Sequence, residues 1–189
     1  MITGIILAGG ASRRMKKNKM LLDFKGKPMI MQTINHMRPF VDRIIVVTGY
    51  YHDDIAGRLQ DVDDVTVIFN PRHRLGMFSS VLAGIKEVES DVFIVPGDCP
   101  MVSDKTYRSL LRGTKDIRVP TYQERRGHPL FVDAHIVSKL KHESPLSTLK
   151  KFRNRFEFEE IPTHDHGILK DIDTPKDYKK ILEDEESDQ

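Results

Sequence analysis

Two sets of charged residues in this 189-residue chain have types and spacings suited to chemistry. In Leu7-Ala8-Gly9-Gly10-Ala11-Ser12-Arg13-Arg14-Met15-Lys16-Lys17-Asn18-Lys19, a glycine pair precedes five cations: Arg13, Arg14, Lys16, Lys17 and Lys19. Glycines directly after an apolar run let the backbone approach a ligand and turn its N–H groups toward it. Five cations in so short a stretch match a polyphosphate better than a single carboxylate. The second set is acidic: Asp98 in Pro96-Gly97-Asp98, and Asp173 in Asp171-Ile172-Asp173-Thr174-Pro175. Paired carboxylates suit Mg2+, a hard cation that takes oxygen ligands and keeps several waters. Each feature alone has a plainer reading: a turn followed by a solvated basic stretch, a turn aspartate, and a charge at a helix N-terminus. Spacing does not pair Asp98 with Asp173.

Two common phosphate loops are excluded. The pattern G-x-x-x-x-G-K-[ST] is absent, and so are G-x-G-x-x-G and its ribose-binding acid.

Continuous apolar, β-branched runs bring these residues to one edge. Strands are expected at Thr3–Ala8, Arg43–Thr48, Val65–Phe69, Val92–Pro96, Ile117–Pro120, Pro129–Val132 and Phe156–Ile161. Runs such as Ile44-Ile45-Val46-Val47 and Val92-Phe93-Ile94-Val95 lack polar alternation, which indicates strands covered on both faces. Amphipathic stretches between them predict helices at Pro28–Met37, Asp53–Leu59, Ser79–Val88, Asp104–Leu111 and Thr174–Leu182, with Ser103 and Thr174 as helix starts. Strands alternating with helices give a single α/β domain, 1–182, with a mostly parallel sheet and helices on both faces. In such a sheet ligands bind at the carboxyl ends of the strands, where the glycine pair and Asp98 both fall. The 121–160 stretch breaks the rhythm and is read as a candidate substrate-binding insertion. The acidic 183–189 end is read as a disordered tail.

Composition excludes several classes. The chain holds 30 Lys+Arg against 28 Asp+Glu, a formal charge of +2, and 39% hydrophobic residues. That is neither a polybasic nor an acidic disordered protein. The near-neutrality is a cancellation: residues 1–27 carry seven Lys/Arg and one acid, whereas residues 183–189 carry five acids and no base. The single cysteine, Cys99, excludes a disulfide framework and a multi-cysteine zinc site, and it fits a reducing compartment. No stretch approaches the ~18 apolar residues of a membrane span. The apolar N-terminal run is followed by charge rather than preceded by it, the wrong order for a signal peptide. The expectation is a cytoplasmic protein with no membrane partner.

The first loop closely resembles the signature of the nucleotidyltransferases that attach a nucleotide to the molybdenum cofactor, L-A-G/A-G-x-S-x-R-M-G followed by Lys. Leu7, Ala8, Gly9, Gly10, Ser12, Arg14, Met15 and Lys19 match it, and Lys16 stands in place of the last glycine. Further blocks match in order: Gly26-Lys27-Pro28, Asn70-Pro71, Gly76-Met77-Phe78-Ser79-Ser80, Pro96-Gly97-Asp98, Gly127-His128-Pro129 and Asp171-Ile172-Asp173-Thr174-Pro175. The Gly-His-Pro block looks most like the cytidylyltransferase branch and its molybdenum-hydroxylase-associated relatives. Gly9, in contrast, is the form of the guanylyltransferase branch, so the base stays open between CTP and GTP.

The resemblance implies a Rossmann-like three-layer α/β/α nucleotidyltransferase fold. It also implies transfer of a nucleoside monophosphate, CMP before GMP, from an NTP to molybdopterin, with Mg2+ held by Asp98 and Asp173. Leu7, Ala8, Gly9, Gly10, Ser12, Arg14 and Lys19 would bind nucleotide, with Asn70, Gly76 and Ser80 near base and ribose. Arg14, Lys19 and Asp98 would carry the catalysis, and His128 would meet the second substrate. Asp171 reads as a supporting carboxylate.

The remaining signals are weaker. Arg125 and Arg126 read first as solvated, His164-Asp165-His166 as a loop rather than a metal clip, and Cys99 as a small buried residue. Other functions fit part of the sequence: a nucleotidyltransferase for a sugar or polyol phosphate, or a non-catalytic maturation factor carrying cofactor to a molybdenum hydroxylase client. Retention of both Asp98 and Asp173 favours catalysis. Nucleic-acid binding lacks the interleaved aromatics of a single-strand groove.

Overall fold

Strands without polar alternation become the centre of a sheet whose two faces are both covered. The computed structural model describes residues 1–186. Its first half contains β1 (Ile2–Ala8), β2 (Asp23–Phe24), β3 (Lys27–Pro28), α1 (Met29–Met37), β4 (Arg43–Thr48), α2 (His52–Leu59), β5 (Val65–Phe69), α3 (Met77–Ile85) and β6 (Asp91–Pro96). There follow α4 (Asp104–Arg112), β7 (Ile117–Tyr122), β8 (Arg125–Arg126), β9 (Leu130–Val132), α5 (Ala134–Leu140), α6 (Leu149–Arg153), β10 (Glu159–Pro162) and α7 (Pro175–Glu186).

The main sheet runs β10-β7-β9-β6-β1-β4-β5, with β8 paired to β7. β1 lies parallel to β4 and β6, β4 to β5, and β7 to β10, while β9 is antiparallel to both its neighbours. Successive side chains alternate between the faces. Ile5, Leu7, Val47 and Ile94 pack against Val81 and Ile85 of α3, Ile136 of α5 and Phe152 of α6. Ile6, Val46, Phe93 and Val95 pack against Ile34 of α1, Ile55 of α2 and Tyr107 of α4. The result is the expected three-layer α/β/α sandwich. Each fully buried Ile contributes roughly 1.5–3 kcal/mol relative to an exposed one. No helix among the described residues is long and apolar enough to cross a membrane.

The stretch around 121–160 differs most from expectation. β9 inserts between β6 and β7, and its Leu130, Phe131 and Val132 are buried, so part of the stretch belongs to the central sheet. The sequence gives no sign of α5 and α6, because seven- and five-residue helices are too short to show a period. The last strand starts at Glu159 rather than Phe156: Phe156 packs on Phe152, and Arg126 and Arg153 cover Phe158.

Helix starts depart from expectation in the same local way. Gly76, at φ +103°, opens α3 two residues early at Met77. The Ser103 side chain makes no cap at α4; Asp165 Oδ2 instead accepts from Ser103 N (2.8 Å) and Thr106 Oγ1 (2.6 Å). Thr174 does cap α7: Asp177 N donates to its Oγ1 (3.2 Å), and Thr174 N donates to Asp177 Oδ2 (2.8 Å). That helix runs to Glu186, so residues 183–186 are helical rather than a disordered tail. Residues 187–189 of the expected tail lie outside the described residues.

Candidate active site

The loop leaving β1 is shaped by two left-handed residues, Ser12 at φ +45° and Lys16 at φ +55°. The backbone N–H groups of Met15 (3.0 Å) and Lys16 (3.1 Å) donate to Ser12 O, and Lys19 N donates to Ser12 Oγ (3.4 Å). Lys16 thus adopts the conformation that the glycine of the motif takes without steric cost, and the turn is kept at the expense of strain in a non-glycine residue. Nothing lies within 4 Å of the position a Gly10 Cβ would occupy, so that side of the loop is open. Gly9 is crowded: a Cβ there would stand 2.8 Å from Ser80 Oγ.

Lys19 crosses from this loop to the acids. Its Nζ donates to Asp98 Oδ2 and, at 2.9 Å, to Asp173 Oδ1, while Arg14 Nη2 reaches Asp173 Oδ2 at 2.5 Å. Lys19 and Asp98 are only 11% and 10% exposed in their side chains, whereas the Arg14 guanidinium is 66% exposed. Burial opposes the Lys19 charge, but Asp98 and Asp173 outweigh it and lift the ammonium above its ordinary pKa. Burial would likewise raise the Asp173 carboxyl, yet Lys19 and Arg14 together hold it below the usual carboxylate value. Asp171 is pushed up chiefly by burial, with the charges of Asp173 and Asp98 adding to the rise.

Asp98 sits just beyond β6. Asp173 arrives from the far end of the chain because Ile172 is buried with Phe24, Met29 and Ile181, and Ile172 N donates to Asp98 O at 3.2 Å. Sequence spacing alone left these acids unpaired; a small satellite core brings them together. Two carboxylates converging on one cationic position offer the hard oxygen donors that suit Mg2+ when phosphates and water complete its shell. No group of three His, Cys, Asp or Glu able to hold a metal occurs among the described residues. Asp98 and Asp173 are the two carboxylates that could hold such an ion here.

The other end of the cleft carries no formal charge. Asn70 Nδ2 donates to Ser79 Oγ (2.9 Å) and Ser80 Oγ (3.0 Å), all three residues being buried. A pocket of about 180 Å³ joins the two ends, lined by Leu7, Gly9, Lys19, Gly76, Ser80 and Asp98. It borders a second space of about 680 Å³ over Gly10, Arg13 and Tyr50, with Gly9, Gly10 and His73 in both walls. Ala8 points instead into the opposite core with Ile6 and Val46. Ser12 organises the loop rather than lining the pocket. His128 is near enough to Asp98 to feel its charge; burial lowers the imidazole pKa and Asp98 opposes that shift.

Several contributors escaped the sequence reading. A Cβ on Gly49 would stand 2.6 Å from both Gly9 O and His73 Cβ, so this glycine permits the close approach of the β1 and β4 loops. Its place directly after an apolar strand was the available signal. His73 has no such signal, and Met77 lies inside the Gly76–Ser80 block without being singled out as a site residue. Of the weaker features, Asp165 accepts from Ser103 N at the start of α4 and from Gly167 N, where His166 begins a short 3-10 turn rather than continuing a loop. Arg126 is engaged by Glu160. Cys99 is buried and its thiol pKa is raised well above normal, mainly by burial.

An α/β sheet with a glycine-led cationic loop after β1 and Asp98 after β6, with Asp173 packed in beside them, is an arrangement suited to binding a nucleotide. Residues 4–159 match the MobA-like NTP transferase domain. The chain belongs to that family and is a nucleotidyltransferase. It is 27% identical over 176 residues to a molybdenum cofactor cytidylyltransferase of Escherichia coli, covering 92% of each chain. It is 31% identical over 138 residues to a probable molybdenum cofactor guanylyltransferase of Bacillus cereus, covering 70% of this chain and 67% of the other. Among solved structures, Rv0371c of Mycobacterium tuberculosis superposes with a TM-score of 0.81 at 24% identity, covering 96% of this chain and 97% of that one. The same mycobacterial protein is also known in complex with manganese, with a TM-score of 0.77 at 24% identity, covering 96% and 98% of the two chains.

Proposed function

We propose that this enzyme transfers a nucleoside monophosphate, CMP in preference to GMP, from an NTP to molybdopterin in the cytoplasm, releasing pyrophosphate with the help of Mg2+. The observation that carries this reading is Lys19, bound to both Asp98 and Asp173 in the wall of the pocket that Gly9 and Ser80 also line. The near full-length match to a molybdenum cofactor cytidylyltransferase supports the acceptor and the order of bases.

In this reading a phosphate oxygen of the acceptor attacks the α-phosphorus of the NTP. The new P–O bond forms as the bond to the β-phosphate bridge breaks, and pyrophosphate leaves. When bound at Asp98 and Asp173, Mg2+ supplies Lewis-acid stabilisation of the phosphate charge. Gly9 and Gly10 admit the nucleotide against the loop backbone. Lys19 and Arg14 neutralise phosphate oxygens, with Lys19 held in place by the carboxylates. Asn70, Ser80 and Gly76 seat the nucleoside, and His128, kept largely neutral by burial, faces the acceptor. An acceptor phosphate ionised at pH 7 needs no general base, so positioning carries most of the catalysis. A molybdenum hydroxylase would be the final client of the product.

The test is pyrophosphate release from CTP, GTP, ATP and UTP with Mg2+ and purified molybdopterin. Release with CTP, more slowly with GTP, and only when molybdopterin is present supports the reading. Nucleotide binding without release would point to the carrier function instead, and release driven by a sugar phosphate would replace the acceptor.

A further inference from the structure

The 70–77 segment has a pocket on each side. Besides the nucleotide cleft, a separate pocket of about 480 Å³ lies between the end of β5, helix α3 and the 141–145 segment. Its wall shares no residue with the two spaces that hold Gly9 and Gly10, and it takes Asn70 and Ser79 from the uncharged end of the cleft as part of its own lining. Its apolar lining comes from Ile68, Phe69, Leu82, Ala83, Pro71 and Pro145, and Phe69 is 49% exposed, unusually open for an aromatic side chain.

Of the charged lining residues, Lys141 is bound to Glu89 and Glu143 to Arg155. Among the described residues, the Arg72 guanidinium and the Lys86 ammonium have no hydrogen-bond or ion-pair partner, and Glu87 is the one unpaired acid beside them. An apolar floor under a net excess of unpaired cation suits a small amphipathic anion: an aromatic or aliphatic body bearing a phosphate or carboxylate.

Two physical links join this pocket to the cleft. Arg72 N donates to Asn70 Oδ1 (2.9 Å) and Arg72 O accepts from Ser79 Oγ (2.9 Å), while Asn70 Nδ2 holds Ser80 Oγ on the cleft side (3.0 Å). The Phe69 ring, in the wall of the second pocket, contacts the ring of His73, in the wall of the cleft, at a centroid distance of 6.2 Å.

We propose that this pocket is a second ligand site, for a small amphipathic anion held by Arg72 and Lys86, whose occupancy is communicated to the nucleotide cleft through Asn70–Ser79–Ser80 and Phe69–His73. The binding half stands by itself; the communication rests on the cleft being the nucleotide site. Coupling between two sites is reciprocal, so nucleotide must change the affinity of the anion as the anion changes that of nucleotide.

The experiment is a titration of phenyl phosphate into 15N-labelled full chain, followed by amide shifts, with inorganic phosphate as the comparison probe. The expected result is saturable shifts at Ala83 and Lys86, with Kd weakened about tenfold by Lys86→Ala and by Ala83→Phe. Saturating CTP with Mg2+ should then change the phenyl phosphate Kd at least twofold without displacing it. Inorganic phosphate binding as tightly as phenyl phosphate, or a Kd unchanged in both variants, overturns the site. A Kd identical with and without CTP overturns the communication. Shifts at Gly9 and Gly10 on adding CTP alone report separately on the nucleotide reading, so its failure is told apart from that of the second pocket.

Discussion

At one end of the cleft Lys19 is gripped by two carboxylates and almost wholly buried; at the other, Gly9 lies against Ser80, which Asn70 holds, and none of the three carries a charge. The first end is built on electrostatics that burial has strengthened, and its components come from three distant parts of the chain. The second is built on close approach, in which a missing Cβ leaves room for a hydroxyl. Substitutions should therefore act by different routes at the two ends: through charge and metal at the first, through shape and nucleotide affinity at the second.

The largest effect is expected from Asp98→Asn. Losing one of two carboxylates should cost about 4 kcal/mol of transition-state stabilisation, or about a thousandfold in pyrophosphate release, measured under saturating CTP. Lys19→Met breaks the same cluster from the cation side and leaves Asp98 and Asp173 facing each other. Removing one partner of a buried ion pair costs about 3 kcal/mol, which urea unfolding at neutral pH would register. If Lys19→Met is no less stable than wild type, the charged end is not a buried cluster at all.

Gly9→Ala probes the uncharged end. The added methyl would meet Ser80 Oγ and push it off Asn70, so CTP affinity should fall about tenfold, as read by the concentration dependence of thermal stabilisation. Metal affinity should be unchanged. A Gly9→Ala variant that weakens the metal rather than the nucleotide would show that the two ends are not separable. A smaller effect, of opposite sign, is expected from Lys16→Gly. Relieving a left-handed lysine should stabilise the protein by about 1 kcal/mol, with pyrophosphate release retained because Arg14 and Lys19 remain.

The pH dependence follows from the same cluster. Asp173 has a folded pKa below its unfolded value, so its stabilisation is present above about pH 4 and is lost as pH falls through the depressed folded value. Lys19 is shifted upward, so its contribution is complete below about pH 10.5 and is lost as pH rises through the raised value. Asp173→Asn should flatten the acid limb of a stability–pH curve and leave the neutral plateau lower but level. An acid limb as steep as that of wild type would contradict the assignment.

The parallel half of the fold could be read from the sequence because its strands are continuous apolar runs, a signal that needs no partner. β4 and β5 begin and end where those runs do. β9 was legible as a strand but not as the antiparallel insert between β6 and β7, since three residues hold no information about direction or neighbour. The site divides in the same way. The glycine pair and its cations are contiguous and stand out as an anion loop. The meeting of Asp98 with Asp173 depends on Ile172 packing beside Phe24 and Met29, a tertiary event that neither segment encodes alone. The crowding of Gly9 by Ser80 is equally invisible until α3 is laid beside β1. Lys16 is a different case: the residue that departs from the motif still adopts the backbone that the motif demands.

The most direct test of the charged end is a titration of Mn2+ in the presence of CTP, followed by electron paramagnetic resonance, in wild type, Asp98→Asn and Asp173→Asn. One tightly bound ion in wild type, weakened at least tenfold by either substitution while CTP alone still binds, is the predicted result. Mn2+ affinity unchanged in both variants would contradict it.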